Sequence, residues 1–211
     1  MSSAKRPDRH LIGLTGNIAT GKSAVMAMLR RLGARIINAD EIAHQVMAPR
    51  TPVWEAIVQA FGEAILTPQG DIDRVALGRI VFRDPQALQR LEAIVHPAVL
   101  QAIEAMIEQA EEEVVVIEAI KLIEAGMHRN YSALWVVTCP PDQQVERLVI
   151  QRGLSEPEAR LRIEAQPPQN DKVALADVVI DNSGTLNDLE RQVVAEWHKL
   201  QSEISLGSHP K

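Results

Sequence analysis

The sequence predicts an α/β fold: a five-stranded parallel sheet, strand order 2-3-1-4-5, with helices on both faces. Three observations predict it. Five short runs, Leu11–Thr15, Arg35–Asn38, Val114–Glu118, Leu134–Thr138 and Asp177–Asp181, are nearly continuous in Val, Ile and Leu rather than alternating. Strands buried on both faces read that way. Helical stretches separate the runs, which is the rhythm of βαβ units. The turn after the first run reads Gly16-Asn17-Ile18-Ala19-Thr20-Gly21-Lys22-Ser23, a complete G-x-x-x-x-G-K-[ST] phosphate-loop pattern.

The first strand, Leu11–Thr15, runs into this loop and a predicted helix, Ala24–Leu32, runs out of it. Gly16 and Gly21 permit backbone angles that let successive N–H groups curl around phosphates. The helix N-terminus adds positive potential there. Lys22 is expected to reach the β- and γ-phosphates of ATP, and the Ser23 hydroxyl to ligate Mg²⁺. The expected nucleotide contacts are therefore Gly16 through Ala24.

The second strand is followed by Asp40, at the edge where open α/β sheets bind ligands. Two readings stand: a base or orienting group for an attacking hydroxyl, or the N-cap of a helix over Glu41–Met47. Residues 41–112 look entirely helical and far exceed a simple crossover, so they form a predicted helical insert. Thr51-Pro52 and Asp84-Pro85 mark helix starts inside it. Arg79 there is either a phosphate ligand or a solvated charge, and His96, before Pro97 at a helix junction, reads by itself as a structural hydrogen-bonder. Glu118 ends the third strand, as an ordinary carboxylate or as one that holds substrate or a metal-bound water.

Residues 141–172 are arginine-rich (Arg147, Arg152, Arg160, Arg162) and end in the polar run Gln166–Lys172, a composition that suits a mobile lid. At least one of these arginines is expected at the γ-phosphate on closure, because the loop supplies only Lys22. Ser155 with Glu158, and Thr185 with Asp188, have capping-box spacing. Asn182 to Gly184, after the fifth strand, are expected under the adenine, unless they are a plain turn. The last helix stacks Leu186, Leu189, Val193, Trp197 and Leu200 on one face. The core is thus predicted at 10–40, 113–140 and 173–204 of a single unit spanning 1–211, with 205–211 a disordered tail.

Composition narrows the partners. A net charge of −6 and 3% aromatic residues argue against a nucleic-acid binder. No apolar run reaches the length of a signal peptide core or a membrane span, so a cytoplasmic protein without a membrane partner is expected. The single cysteine, Cys139, forms no internal disulfide, and His44, His128 and Cys139 lack metal-ligand spacing. A GTPase would carry N/T-K-x-D, which is absent. A compact phosphate-loop fold with a helical insert and an arginine-rich lid is the layout of small-molecule kinases, which must keep water from the γ-phosphoryl group.

Six strings, in order, resemble the dephospho-coenzyme A kinase family over nearly the whole chain: Ile12–Gly16 into the loop, Ala39–Ala43, Gly78–Phe82 before Asp84-Pro85, Leu91–Pro97, Arg152–Ser155 with Arg162-Ile163 and Gln166, and Ala176–Gly184. The resemblance implies transfer of the γ-phosphoryl of ATP to the ribose 3′-hydroxyl of dephospho-coenzyme A, with Mg²⁺. It implies Asp40, Lys22 and Arg152 as catalytic residues, and Thr15, Arg79, His96, Glu118 and Lys121 about the acceptor. Asn182 and Gly184 would join the nucleotide site. A monomer or small homo-oligomer is expected. The chain departs from the family at Asn17 (usually Gly, though Asn tolerates left-handed angles), at Asn38 (often Asp), and at Ile120-Lys121 (usually Pro-Leu). Gln151 stands where the lid arginine is frequent, with Arg152 next to it. Two other readings remain: another small-molecule or nucleoside monophosphate kinase, and a nucleotide-binding regulatory protein without transfer activity.

Overall fold

The computed structural model describes residues 9–207. Its strands are β1 (His10–Thr15), β2 (Arg35–Asn38), β3 (Val114–Glu118), β4 (Ala133–Thr138) and β5 (Val178–Asp181). The helices are α1 (Lys22–Arg31), α2 (Ala39–Val46), α3 (Pro52–Phe61), α4 (Arg74–Val81), α5 (Pro85–Gln109), α6 (Pro141–Arg152), α7 (Glu156–Glu164), α8 (Gln169–Val173) and α9 (Leu186–Gly207). The sheet order is β2-β3-β1-β4-β5, as the apolar runs predicted. The β1–β3, β1–β4 and β4–β5 pairs run parallel.

Two compact units are present: the chain up to Ile37 together with that from Ala110 onward, and Asn38–Gln109. In the first unit, alternate residues of the central strands (Ile12, Leu14, Val114, Val116, Trp135, Val137) pack with Val25, Met28 and Leu29 of α1 and with Leu189, Val193 and Trp197 of α9. The residues between them, Val115, Ile117, Leu134 and Val136, are as deeply buried on the other face. That two-sided burial is why the runs do not alternate. A Cβ on Gly13 would come within 2.9 Å of the Tyr131 ring, so this strand position must be glycine for the ring to pack. Burial pushes the Tyr131 phenol up to about 12.

In the second unit, Thr51 caps α3, accepting from Trp54 N at 3.1 Å, and Asp84 accepts from Gln86 N at 2.9 Å where α5 begins. Leu77 and Val81 of α4 are buried, as are Ala87, Val95, Val99 and Ile103 of α5.

Four local expectations are corrected. The Asp40 N-cap reading fails: Asn38 caps α2, accepting from Glu41 N at 3.0 Å, and Asp40 lies in the first turn. His96-Pro97 is not a junction, because α5 runs straight through Pro97. Pro97 is on the exposed side, where the N–H it lacks costs one helix bond without disturbing the buried face. Leu186 is 65% exposed rather than part of the apolar stripe of α9. That helix also continues through Gly207, replacing a tail expected from residue 205; Ile204 is buried near its end. Residues 208–211 lie outside the described residues.

Candidate active site

β1 ends at Thr15, and the chain turns through the phosphate loop into α1. Gly16 has φ 154° and Gly21 φ 100°. A Cβ at Gly16 would lie 2.4 Å from the Val137 carbonyl oxygen, and one at Gly21 2.0 Å from Asn182 Nδ2. Both positions therefore exclude any other residue, by angle and by space. The one left-handed non-glycine of the loop is Ala19, at φ 58°. Asn17, which tolerates such angles, does not adopt one.

The loop is held from inside and outside. Lys22 Nζ donates to Gly16 O at 2.9 Å and Asn17 O at 3.4 Å, and lies 3.7 Å from Glu118 Oε1. Thr20 Oγ1 donates to Asn17 O at 2.9 Å. From α6, Arg147 Nη1 donates to Ala19 O and Thr20 O, both at 3.2 Å, and Nη2 to Asn182 O at 2.9 Å. Asn182 Nδ2 donates to Thr20 O at 2.8 Å. The turn after β5 is thereby fastened to the loop, and Gln143 Nε2 holds Ser183 O at 2.9 Å. Cys139, buried at the end of β4, has its thiol pushed up by that burial; the Arg147 charge opposes this only in part.

The structure thus brings together the loop residues Gly16–Ala24, Glu118 and Asn182, while Gly184, two residues further on, stands against Asp188. Thr15, expected at the acceptor, is fully buried, and its hydroxyl donates to Ala119 O at 2.8 Å and Ile120 O at 3.2 Å. It braces the segment after β3. Lys121 in that segment is exposed, and Arg152 is exposed at the end of α6. Asp40, Arg79 and His96 belong to the helical unit. Asp40 is half-buried on α2, two residues past β2; Arg79 and His96 are exposed on α4 and α5.

Sequence reasoning did not single out two residues that matter here. Arg147 was one of four lid arginines; only its place on the face of α6 beside Gln143 and Gln144 separates it from the rest. Lys172, the end of the polar run, is buried, with Nζ 2.8 Å from Ile120 O and 3.1 Å from Glu124 Oε1. A buried lysine gives no sequence signal.

Ser23 is exposed at the second residue of α1. Among the described residues there is no cluster of three or more His, Cys, Asp or Glu that could hold a metal.

The family model for dephospho-CoA kinase matches residues 10–188. A dephospho-CoA kinase from Symbiobacterium thermophilum is 47% identical over 190 residues, 89% of this chain and 80% of that protein. A solved structure from Thermus thermophilus superposes with a TM-score of 0.81 at 35% identity, covering 91% of this chain and 98% of that one. The dephospho-CoA kinase of Campylobacter jejuni superposes with a TM-score of 0.65 at 28% identity, covering 94% and 98%. With its phosphate loop intact and a match along nearly its whole length, the chain belongs to the dephospho-CoA kinase family.

Proposed function

We propose that this protein transfers the γ-phosphoryl group of ATP to the ribose 3′-hydroxyl of dephospho-coenzyme A, giving coenzyme A and ADP, the last step of coenzyme A synthesis. The observation that carries the reading is the phosphate loop, fixed by Gly16, Gly21, Lys22 and Arg147, in a chain of this family. The hydroxyl oxygen attacks γ-phosphorus as the bond to the bridging oxygen of ADP breaks. In a loose transition state the acceptor needs alignment and late proton removal. Asp40 accepts that proton in this reading. Lys22, with a lid arginine for which the family resemblance favours Arg152, offsets charge on the leaving and transferring oxygens. Ser23 would hold Mg²⁺, which when bound neutralises charge on the phosphate oxygens.

Arg79, His96, Glu118 and Lys121 remain the proposed acceptor residues, and Asn182 with Gly184 the adenine platform; Thr15, fully buried with its hydroxyl on Ala119 O and Ile120 O, braces the segment that carries Lys121 instead of meeting the acceptor. Residues 41–112 are the proposed acceptor-binding insert and 141–172 the lid. Among the described residues no helix is long and apolar enough to cross a membrane. A cytoplasmic location, a monomer or small homo-oligomer, and small-molecule partners without nucleic acid or membrane complete this proposal; the acidic net charge speaks against nucleic acid.

The test is ADP release with ATP, Mg²⁺ and dephospho-coenzyme A, against a panel of nucleoside monophosphates, with the product identified by mass. Turnover confined to dephospho-coenzyme A or fragments with its adenosine end is expected. Equal turnover of nucleoside monophosphates would favour a general nucleotide kinase, and ATP binding without transfer to any acceptor a regulatory protein.

A further inference from the structure

The end of the lid is tied to the phosphate loop by contacts that phosphate binding alone does not call for. Ile18 N donates to Gln166 Oε1 at 2.7 Å, and Asn17 Nδ2 donates to Pro167 O at 3.0 Å. Ile18 and Ala19 also pack against the small apolar core of the lid, Val145, Leu148 and Ala159, with Leu154 and Ile163. So the tip of the loop is a structural member of the lid, joined to α6, α7 and the 166–167 connector.

Each contact acts on a stretch with a conformational problem. Ala19 sits at φ 58°, a left-handed angle that disfavours a residue with a Cβ. Such an angle persists only where the surroundings over-determine it. Here they do: Arg147 holds the Ala19 carbonyl, the lid core surrounds its neighbourhood, and Gln166 fixes the N–H one residue earlier. Asn17 is only 4% exposed, and its Oδ1 has no hydrogen-bond partner. The side chain is therefore kept in place at some cost, and the bond that it does make runs to the lid connector.

We infer that Gln166 is a positioning residue for the phosphate loop, with Asn17 as its partner, and that through them lid placement and ATP affinity are one coupled equilibrium. The inference rests on the reading of Gly16–Ser23 as the ATP-phosphate site. A protein whose binding-competent loop is less populated binds its ligand more weakly by that fraction. Releasing the connector should therefore weaken ATP binding before it touches the acceptor.

The test is Gln166→Met, which keeps length and apolar bulk but removes the acceptor for Ile18 N–H. The dissociation constant for ATP should rise about tenfold, the order expected when a partly buried N–H loses its partner. KM for the acceptor should stay within about twofold if the effect passes through the nucleotide site alone. Hydrogen exchange at the Ile18 amide should speed up. Asn17→Gly, which removes the second tie together with its orphaned oxygen, should act in the same direction. The double variant should lose less than the sum, because one released tie already frees the connector. Unchanged ATP affinity in folded Gln166→Met, strictly additive losses, or a rise confined to the acceptor KM would each overturn the inference. If the unaltered protein bound no ATP, the reading of the loop would fail first and this coupling with it.

Discussion

In the phosphate loop the polar groups are committed to one another: Lys22 to Gly16, Asn17 and Glu118, Thr20 to Asn17, Asn182 to Thr20, and Arg147 to three carbonyls. In the helical unit the candidate residues stand differently. Arg79 and His96 are exposed on helices whose buried positions are apolar, and Asp40 rides the first turn of a helix capped by its neighbour Asn38. The first region is a preorganised frame built largely from backbone; the second carries single side chains on a scaffold that would fold without them. Substitutions should therefore split cleanly. In the helical unit they should cost rate and leave stability alone, whereas in the frame they should cost both.

Asp40→Asn gives the largest expected rate effect and the sharpest form of that split. Since Asn38 supplies the cap, the substitution removes basicity and touches no helix-end bond. Turnover should fall by roughly 10²–10⁴-fold, the range for loss of a general base, with Tm and ATP binding nearly unchanged. A parallel loss of Tm and turnover would make Asp40 structural and direct the search for a base to Glu118.

Lys22→Ala should lower kcat by about a hundredfold or more, as when one preorganised charge-stabilising donor is lost. It should also lower Tm, because it leaves the buried Glu118 carboxylate without this cation. Adding Glu118→Gln should restore part of the Tm and none of the rate. If the single variant kept its Tm, the loop lysine would be as separable from its frame as Asp40 is, and the contrast between the regions would collapse.

The same contrast explains what could be read in the sequence. Strands buried on both faces must be unbroken apolar runs, and a turn that needs φ near 100° beside a neighbouring side chain must have glycine, so the sheet and the two loop glycines were legible, whereas the left-handed angle at Ala19 was not. Features chosen among equivalent residues were not. Asn38 and Asp40 are both good caps, and only the point where β2 ends selects Asn38. Arg147, Arg152, Arg160 and Arg162 look alike until α6 is oriented on the loop. Pro97 signals a break, yet α5 tolerates it because the proline is on its exposed side. Leu186 continues the periodicity of its helix, yet as the first residue of α9 it is exposed where Leu189, Val193 and Trp197 are buried.

Lys172→Met probes a buried charge outside the phosphate-loop frame. It removes a buried charged donor from Ile120 O and Glu124, and Glu124 is open enough to recover water contacts. The expected cost is about 2 kcal/mol, or a Tm lower by roughly 4–8 °C in a chain of this size. ATP affinity and turnover per folded molecule should hold. A selective loss of acceptor turnover would mean that the segment carrying Lys121 depends on this lysine for placement.

The smallest effect belongs to the start of α9. Asp188 Oδ2 accepts from Thr185 N at 3.0 Å and Thr185 Oγ1 at 2.7 Å, while Asp188 N donates back to Thr185 Oγ1 at 3.2 Å. The Thr185 bonds, and then Arg191, hold the Asp188 carboxyl down to about 2 from its ordinary 3.8. The sign follows from the folded pKa lying below the unfolded one. The folded state favours the carboxylate, so this contribution is complete above about pH 4 and is lost as pH falls through about 2. Thr185→Val deletes the hydroxyl bonds and lets the carboxyl return toward its ordinary range. The Tm gap between the two proteins should be constant from neutral pH down to about 5 and narrow between about 4 and 2. It should not close, because the Thr185 hydroxyl still caps the helix when Asp188 is protonated. The carboxylate is partly exposed, so the gap should also shrink somewhat with added salt. A gap independent of pH would mean that the hydroxyl acts only as a cap, and that the low carboxyl pKa comes from Arg191 and the backbone.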